Sequence, residues 1–178
     1  MWIPVIFGIT AGLFLFWALS VVGHLRWVQR LPALETLRAE KPSDAPIAKP
    51  IRCSVVIAAR DEELRIEQTL RRLFAQHGVE AEFIVVDDRS SDGTPEILRR
   101  LALEEARLRV IRVDVLPPGW LGKCHACHLG ASAARGDWIL FTDADCWLQP
   151  DVIARAVCVA DRAGADHITM ASGLARGS

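Results

Sequence analysis

Hydrophobic positions follow three successive patterns along this chain. From Met1 to Leu25 there is no charged residue, and the run from Ile3 to Val22 is dominated by Ile, Leu, Phe, Val and Trp. At a rise of about 1.5 Å per residue, about 20 such residues cross a hydrocarbon layer of roughly 30 Å. Residues 1–25 are therefore expected to form a transmembrane anchor. Ala18-Leu19-Ser20 has the small-x-small form of a signal-peptide cleavage site. No basic segment precedes the run, however, and its length favours an anchor. Residues 26–50 read as a juxtamembrane segment and linker: Leu31 to Leu37 can form a short helix, and Pro42, Pro46 and Pro50 interrupt any continuation.

From Ile51 onwards short apolar runs alternate with stretches of helical spacing. Strands are expected at Ser54–Ala59, Phe83–Val86, Leu108–Val113, Trp138–Phe141 and Ala165–Met170. Between them, Glu62–Gln76 places Ile66, Leu70, Leu73 and Phe74 on one helical face, with Gly78 as its stop. Thr94 is expected to cap a helix that begins at Pro95 and buries Ile97, Leu98 and Leu101. Further helices are expected from about Lys123 to Ala134 and from Asp151 to Ala163. Strands separated by helices imply an α/β domain over residues 51–178, a mainly parallel sheet with helices on both faces.

Charge and cysteine content narrow the setting. The 178 residues carry a net charge of -1, without the basic surplus of a nucleic-acid-binding protein. Arg26, Arg30, Arg38 and Lys41 follow the apolar run, and Trp2 and Trp27 lie near its ends as an interfacial belt would. Positive charge stays on the cytoplasmic side, which predicts a single-pass inner-membrane protein with its body in the cytoplasm. The odd count of five cysteines fits free thiols in a reducing compartment.

In open parallel sheets, ligands bind beyond the carboxyl ends of the strands. Three expected strands deliver acids there: the first ends in Arg60-Asp61-Glu62, the second in Asp87-Asp88, and the fourth in Asp143-Ala144-Asp145. Adjacent carboxylates at the mouth of a strand repel one another, and a hard divalent cation bridging to phosphates resolves that cost. Asp92 has a simpler role, ordering the turn before Thr94. No glycine-rich phosphate loop follows any strand. Phosphate charge would then fall to a metal and to Lys123, which stands behind Gly122 at the start of a helix. Ala126, Gly130, Ala131, Ala133 and Ala134 on that helix permit close approach of another backbone or of a flat ligand.

The series Val55-Val56-Ile57-Ala58-Ala59-Arg60-Asp61-Glu62-Glu63, Val85-Val86-Asp87-Asp88-Arg89-Ser90-Ser91-Asp92-Gly93-Thr94, Gly119-Trp120-Leu121-Gly122-Lys123 and Leu140-Phe141-Thr142-Asp143-Ala144-Asp145 resembles a family 2 glycosyltransferase of the GT-A fold. The resemblance covers about residues 52–170. The Gly-Trp-x-Gly-Lys stretch and the N-terminal anchor further resemble the branch that glycosylates carotenoid or hopanoid-type lipids.

The resemblance implies a Rossmann-like sheet, a nucleotide-sugar donor, often a UDP-sugar, and Mg²⁺ or Mn²⁺. By motif position Asp88 would contact the base or ribose, Asp61 would lie near the nucleotide with Asp87 beside it, and Lys123 near the diphosphate. Asp143 would serve donor and metal, and Asp145 the metal. Sugar transfer to a lipid or other membrane-associated acceptor would invert the anomeric centre. The first motif of the family usually carries Pro and Asn where this chain has Ala58 and Asp61. The family's acceptor half, with its catalytic base and Q/R-x-x-R-W motif, does not follow Met170. The expectation is an incomplete GT-A domain, a donor-binding half whose base lies elsewhere.

Two rivals use other chemistry. Cys124-His125-Ala126-Cys127-His128 satisfies the C-x-x-C-H pattern of c-type haem attachment, although that requires export and normally an axial partner. Zinc is a further option, but four ligands within five helical residues cannot all face one ion. A nucleotidyltransferase would also use acids and metal on such a sheet, with a glycine-rich loop where this chain has Ala58-Ala59-Arg60-Asp61.

Overall fold

A computed structural model describes residues 16, 17, 19–22 and 50–170. The chain divides into two compact units, Met1–Asp44 and Ala45–Ser178. In the first unit, residues 16, 17 and 19–22 are helical, with Phe16, Trp17 and Leu19 exposed. The rest of the expected anchor, with Trp2, Trp27, Arg26, Arg30, Arg38 and Lys41, lies outside the described residues. Among the described residues, no helix is long and apolar enough to cross a membrane.

The second unit runs β1 (Arg52–Ala59), α1 (Ile66–Phe74), β2 (Glu80–Asp88), α2 (Thr94–Glu104), β3 (Leu108–Val113), α3 (Gly122–Ala133), β4 (Trp138–Asp143) and α4 (Val152–Ala163). The four strands form one parallel sheet in the order β3-β2-β1-β4. Helices cover both faces. Val55, Ile57, Phe83 and Val85 pack with Ile66, Leu70 and Leu73 of α1, Leu98 and Leu101 of α2 and Ile153 of α4. The alternate residues Val56, Ile84 and Val86 turn to the opposite face and meet Ala126 of α3. This is the period-two alternation of a strand buried on both sides. The small residues of α3 are used against the sheet: a β-carbon on Gly130 would overlap the Val56 side chain.

Several elements depart from expectation. Helix α1 begins at Ile66, because Glu63 to Arg65 form a turn first. Thr94 does not cap its own helix. Gly93 occupies the cap position, and the Thr94 hydroxyl accepts the Glu62 backbone N–H at 2.8 Å, tying the β1 exit to the β2 exit. Strand β2 is longer than its apolar run, so Asp87 and Asp88 are its last residues rather than residues beyond it.

Strand β4 is not buried throughout: Ile139 and Phe141 are exposed on the α3 face. Among the described residues it is an edge strand paired with β1 alone, and α3 packs on β1 and β2. The expected strand at Ala165–Met170 is absent; these residues pair with no strand among those described, and a strand exists only through its ladder.

Candidate functional site

The parallel register fixes where the acids stand. Ala59 pairs with Asp87, and Ala58 with both Val86 and Asp143, so the exits of β2, β1 and β4 lie side by side on one edge. Asp61, Asp87, Asp88, Asp143 and Asp145 all belong to that edge. The first helical residues of α3, Gly122 and Lys123, join it from one face of the sheet.

The turn carrying Asp143 and Asp145 is anchored through the residue between them. Ala144 is 3% exposed and belongs to the core under α1. Its carbonyl accepts the buried Thr69 hydroxyl of α1 at 2.6 Å. With the alanine held inwards, both carboxylates project outwards and are half exposed. Lys123 Nζ donates to Asp143 Oδ1 at 2.5 Å, and the carboxylate raises the pKa of the lysine. Arg65 Nη1 stands 3.5 Å from Asp145 Oδ2.

The other acids also have basic partners. Arg89 Nε and Nη2 donate to the two oxygens of Asp88 at 2.8 and 3.0 Å. That fork holds the Asp88 carboxyl below its ordinary range, against the opposing effect of burial. Gly122 lies directly over this carboxylate, and a β-carbon there would overlap Asp88 Oδ2. Asp87, only 1% exposed, accepts Arg112 Nη1 of β3 and the Ser90 backbone N–H. Asp87 and Arg112 are paired positions in the β2–β3 register.

Asp61 has a positive φ of 54°, a conformation that aspartate tolerates better than most side chains. Its Oδ1 accepts the Ser91 N–H at 2.7 Å and the Ser91 hydroxyl at 3.2 Å, while its own N–H donates to Ser90 Oγ at 3.0 Å. Asp92 accepts the Thr94 and Glu63 amides at 3.0 and 3.1 Å, so it orders the turn as expected and also stitches it to the β1 exit. The Asp61–Glu63 and Ser90–Thr94 loops thus form one cross-linked wall.

Sequence reasoning did not assign Arg65, Arg89, Arg112 or Thr69. The β3 alternation and its register opposite Asp87 could have pointed to Arg112, and adjacency to Asp88 to Arg89. Arg65 and Thr69 carry no local signal, because their partners lie 80 and 75 residues away.

No set of three His, Cys, Asp or Glu side chains among the described residues is placed to form a protein-only metal cage. Asp143 and Asp145 are two exposed hard-oxygen donors on one anchored turn. This donor set fits Mg²⁺ or Mn²⁺ sharing its coordination with phosphates and water, the usual mode for Mg²⁺. Cys124, Cys127 and His128 lie on α3; the His128 ring stacks on Trp120 at 5.1 Å and the His125 ring meets its edge at 5.3 Å. A shallow hollow lined by Arg52, Glu80, Glu82, Arg107 and Arg135 lies at the opposite, amino-terminal edge of the sheet, away from all of these acids.

Residues 54–176 match the family model described as "Glycosyl transferase family 2". Among curated proteins, the chain is 38% identical over 104 residues to 4,4'-diaponeurosporenoate glycosyltransferase of Staphylococcus haemolyticus, covering 58% of this chain and 27% of that one. It is 33% identical over 106 residues to beta-monoglucosyldiacylglycerol synthase of Trichormus variabilis, covering 58% of this chain and 22% of that one. The chain thus spans about a quarter of the length of these two relatives.

Among solved structures, it superposes on the mannosyltransferase PcManGT of Pyrobaculum calidifontis in complex with GDP-Man and Mn²⁺, with TM-score 0.55 and 29% identity over 64% of this chain and 33% of that one. It also superposes on S. aureus TarS 1-349 in complex with UDP-GlcNAc, with TM-score 0.58 and 25% identity over 72% of this chain and 37% of that one.

Proposed function

The chain belongs to glycosyl transferase family 2, and from that premise we propose that it supplies the donor-binding half of an enzyme moving a sugar from a nucleotide-sugar to a lipid or other membrane-associated acceptor. One observation carries the reading: β1, β2 and β4 deliver Asp61, Asp88, Asp143 and Asp145 to one sheet edge, and Lys123 reaches Asp143 there from α3. The relatives named for a diapocarotenoid acid and for a diacylglycerol lipid favour an apolar acceptor. The apolar run near the N-terminus would hold the domain at the inner membrane, on its cytoplasmic side.

In this reading the donor is a UDP-sugar, as in the TarS complex, although the PcManGT complex holds GDP-Man. Asp88 meets the base or ribose when Arg89 turns aside. Asp61 and Asp87 shape the nucleotide wall, Asp87 by holding the Ser90 amide and thereby the Ser90–Thr94 loop. Lys123 lies against the diphosphate, and Asp143 and Asp145 hold Mg²⁺ or Mn²⁺. When bound, that ion supplies Lewis-acid charge to the departing diphosphate. An acceptor oxygen forms the new bond to the anomeric carbon as the bond to the diphosphate oxygen breaks, inverting configuration. The base that takes the acceptor's proton is none of the residues assigned here.

Calorimetry with UDP and Mn²⁺ tests the assignment on wild type and Asp145→Ala. Binding that depends on Mn²⁺ and is lost in the variant is expected. Equal binding by both proteins removes the metal from Asp145.

A further inference from the structure

The two acids of the β4 exit are approached from opposite faces of the sheet. Lys123 reaches Asp143 from α3, and Arg65 reaches Asp145 from the turn leading into α1. Arg65 occupies the cap position of α1 but makes no side-chain capping bond there. Both ion pairs are open to water, with side-chain exposures of 67% and 55% for Lys123 and Asp143, and 61% and 53% for Arg65 and Asp145. Exposed pairs of this kind contribute little and exchange readily.

We propose that Arg65 is a diphosphate-binding residue held in reserve: in the free protein it covers Asp145, as Lys123 covers Asp143, and both cations turn to the donor's diphosphate when a divalent ion takes the two carboxylates. The inference rests on the donor-site reading above and extends it to a residue and a coupling.

Charge balance gives the reason. Two carboxylates, one lysine and one arginine are neutral together. A divalent ion arriving alone leaves the cluster with two uncompensated positive charges, and the two positive side chains must be displaced against it. A nucleotide-sugar diphosphate brings two negative charges and restores neutrality. Metal and donor therefore bind as a coupled pair, each raising the other's affinity by the same factor. The planar guanidinium grips two phosphate oxygens in a fixed fork, whereas lysine offers a rotatable point charge. Arg65 is also the partner on the face opposite α3, so the diphosphate is held from both sides.

The test measures Mn²⁺ binding by electron paramagnetic resonance of the free ion, with and without UDP, on the whole 178-residue chain. In Arg65→Gln, Mn²⁺ alone binds about 1.5- to 5-fold more tightly, because the competing side chain is gone. At saturating Mn²⁺, UDP binds roughly tenfold or more weakly, because a charged hydrogen bond is lost. Arg65→Lys keeps the charge balance but loses the fork, so its coupling between the two ligands falls between wild type and Arg65→Gln. Wild-type affinities for both ligands in Arg65→Gln overturn the proposal, and so does a parallel loss of both. A chain that binds no Mn²⁺–UDP, or whose Asp145→Ala variant binds it as wild type does, refutes the donor-site reading and this inference with it. A site lost in Asp145→Ala but unchanged in Arg65→Gln refutes only the role of Arg65.

Discussion

The hydroxyl of Thr69, buried in α1, donates to the carbonyl of Ala144 at 2.6 Å. This bond joins the core under one face of the sheet to the turn that carries Asp143 and Asp145. Replacing Thr69 by Val keeps the volume and removes the donor. The buried carbonyl then loses its partner, a loss of about 1–3 kcal/mol. Urea unfolding should show that drop, and Mn²⁺–UDP affinity should fall because the two carboxylates lose their common anchor. Unchanged affinity at reduced stability would mean that the turn is held by the packing of Ala144 alone.

Arg112 and Asp87 invite a second experiment. Asp87 is 1% exposed, whereas the Arg112 side chain is 41% exposed. Arg112→Ala leaves a buried carboxylate with the Ser90 amide as its remaining partner. Loss of one member of a fully buried pair typically costs about 3–5 kcal/mol; water can reach this one from the arginine side, so about 1–3 kcal/mol is expected. The double variant Asp87→Asn/Arg112→Met should be less destabilised than Arg112→Ala, because no charge is left behind. Denaturant midpoints of the two proteins decide the point.

How much of this edge could be read beforehand follows from how far each interaction reaches along the chain. The alternation of short apolar runs with helical spacing is local, and it announced an α/β domain and the ends of the strands where Asp61, Asp88 and Asp143 sit. Helix α4 and strand β3 were also placed within a residue. The half-exposed state of β4 was not legible, because Ile139 and Phe141 look like core until it is known that, among the described strands, β4 pairs only with β1. The acids are costly to leave unpaired, and the sequence reading gives them a divalent cation as partner. The structure instead gives Asp61, Asp87, Asp88, Asp143 and Asp145 a basic neighbour each. Of these pairs, only Arg60–Asp61 and Arg89–Asp88 are adjacent in sequence, and the other three exist only once the sheet is assembled.

Acid sensitivity should arise at the opposite edge as well. Burial pushes the Glu82 carboxyl up, but the Ser54 hydroxyl, the Arg135 amide and the charges of Arg109 and Arg135 outweigh it and hold the pKa below its ordinary value. A carboxylate lowered by folding contributes stability that is complete above its unfolded pKa and is lost as pH falls through its folded pKa. The contribution of Glu82 to the denaturant midpoint should therefore be full and constant down to about pH 5 and be lost below about pH 4. Glu82→Gln should be less stable than wild type at pH 7 and show a shallower decline in acid. Parallel midpoint curves for the two proteins would remove Glu82 from the acid transition.

The cysteines separate the donor-site reading from haem attachment. All five are free, and they differ sharply in access. Cys124 is exposed at the start of α3, whereas Cys53 is 2% exposed in β1 and its burial pushes the thiol up to about 11. The thiolate is the reacting form, so an aromatic disulfide reagent at neutral pH should label Cys124 first. Cys53 should react only when urea unfolds the sheet. Cys124→Ser should remove the fast phase and leave the slow one. Covalent haem would consume Cys124 and Cys127 and produce a Soret band. Purified protein is expected to show no such band and a fast thiol that disappears in Cys124→Ser. A Soret band with Cys124 and Cys127 both blocked would overturn the assignment of this segment to the donor site.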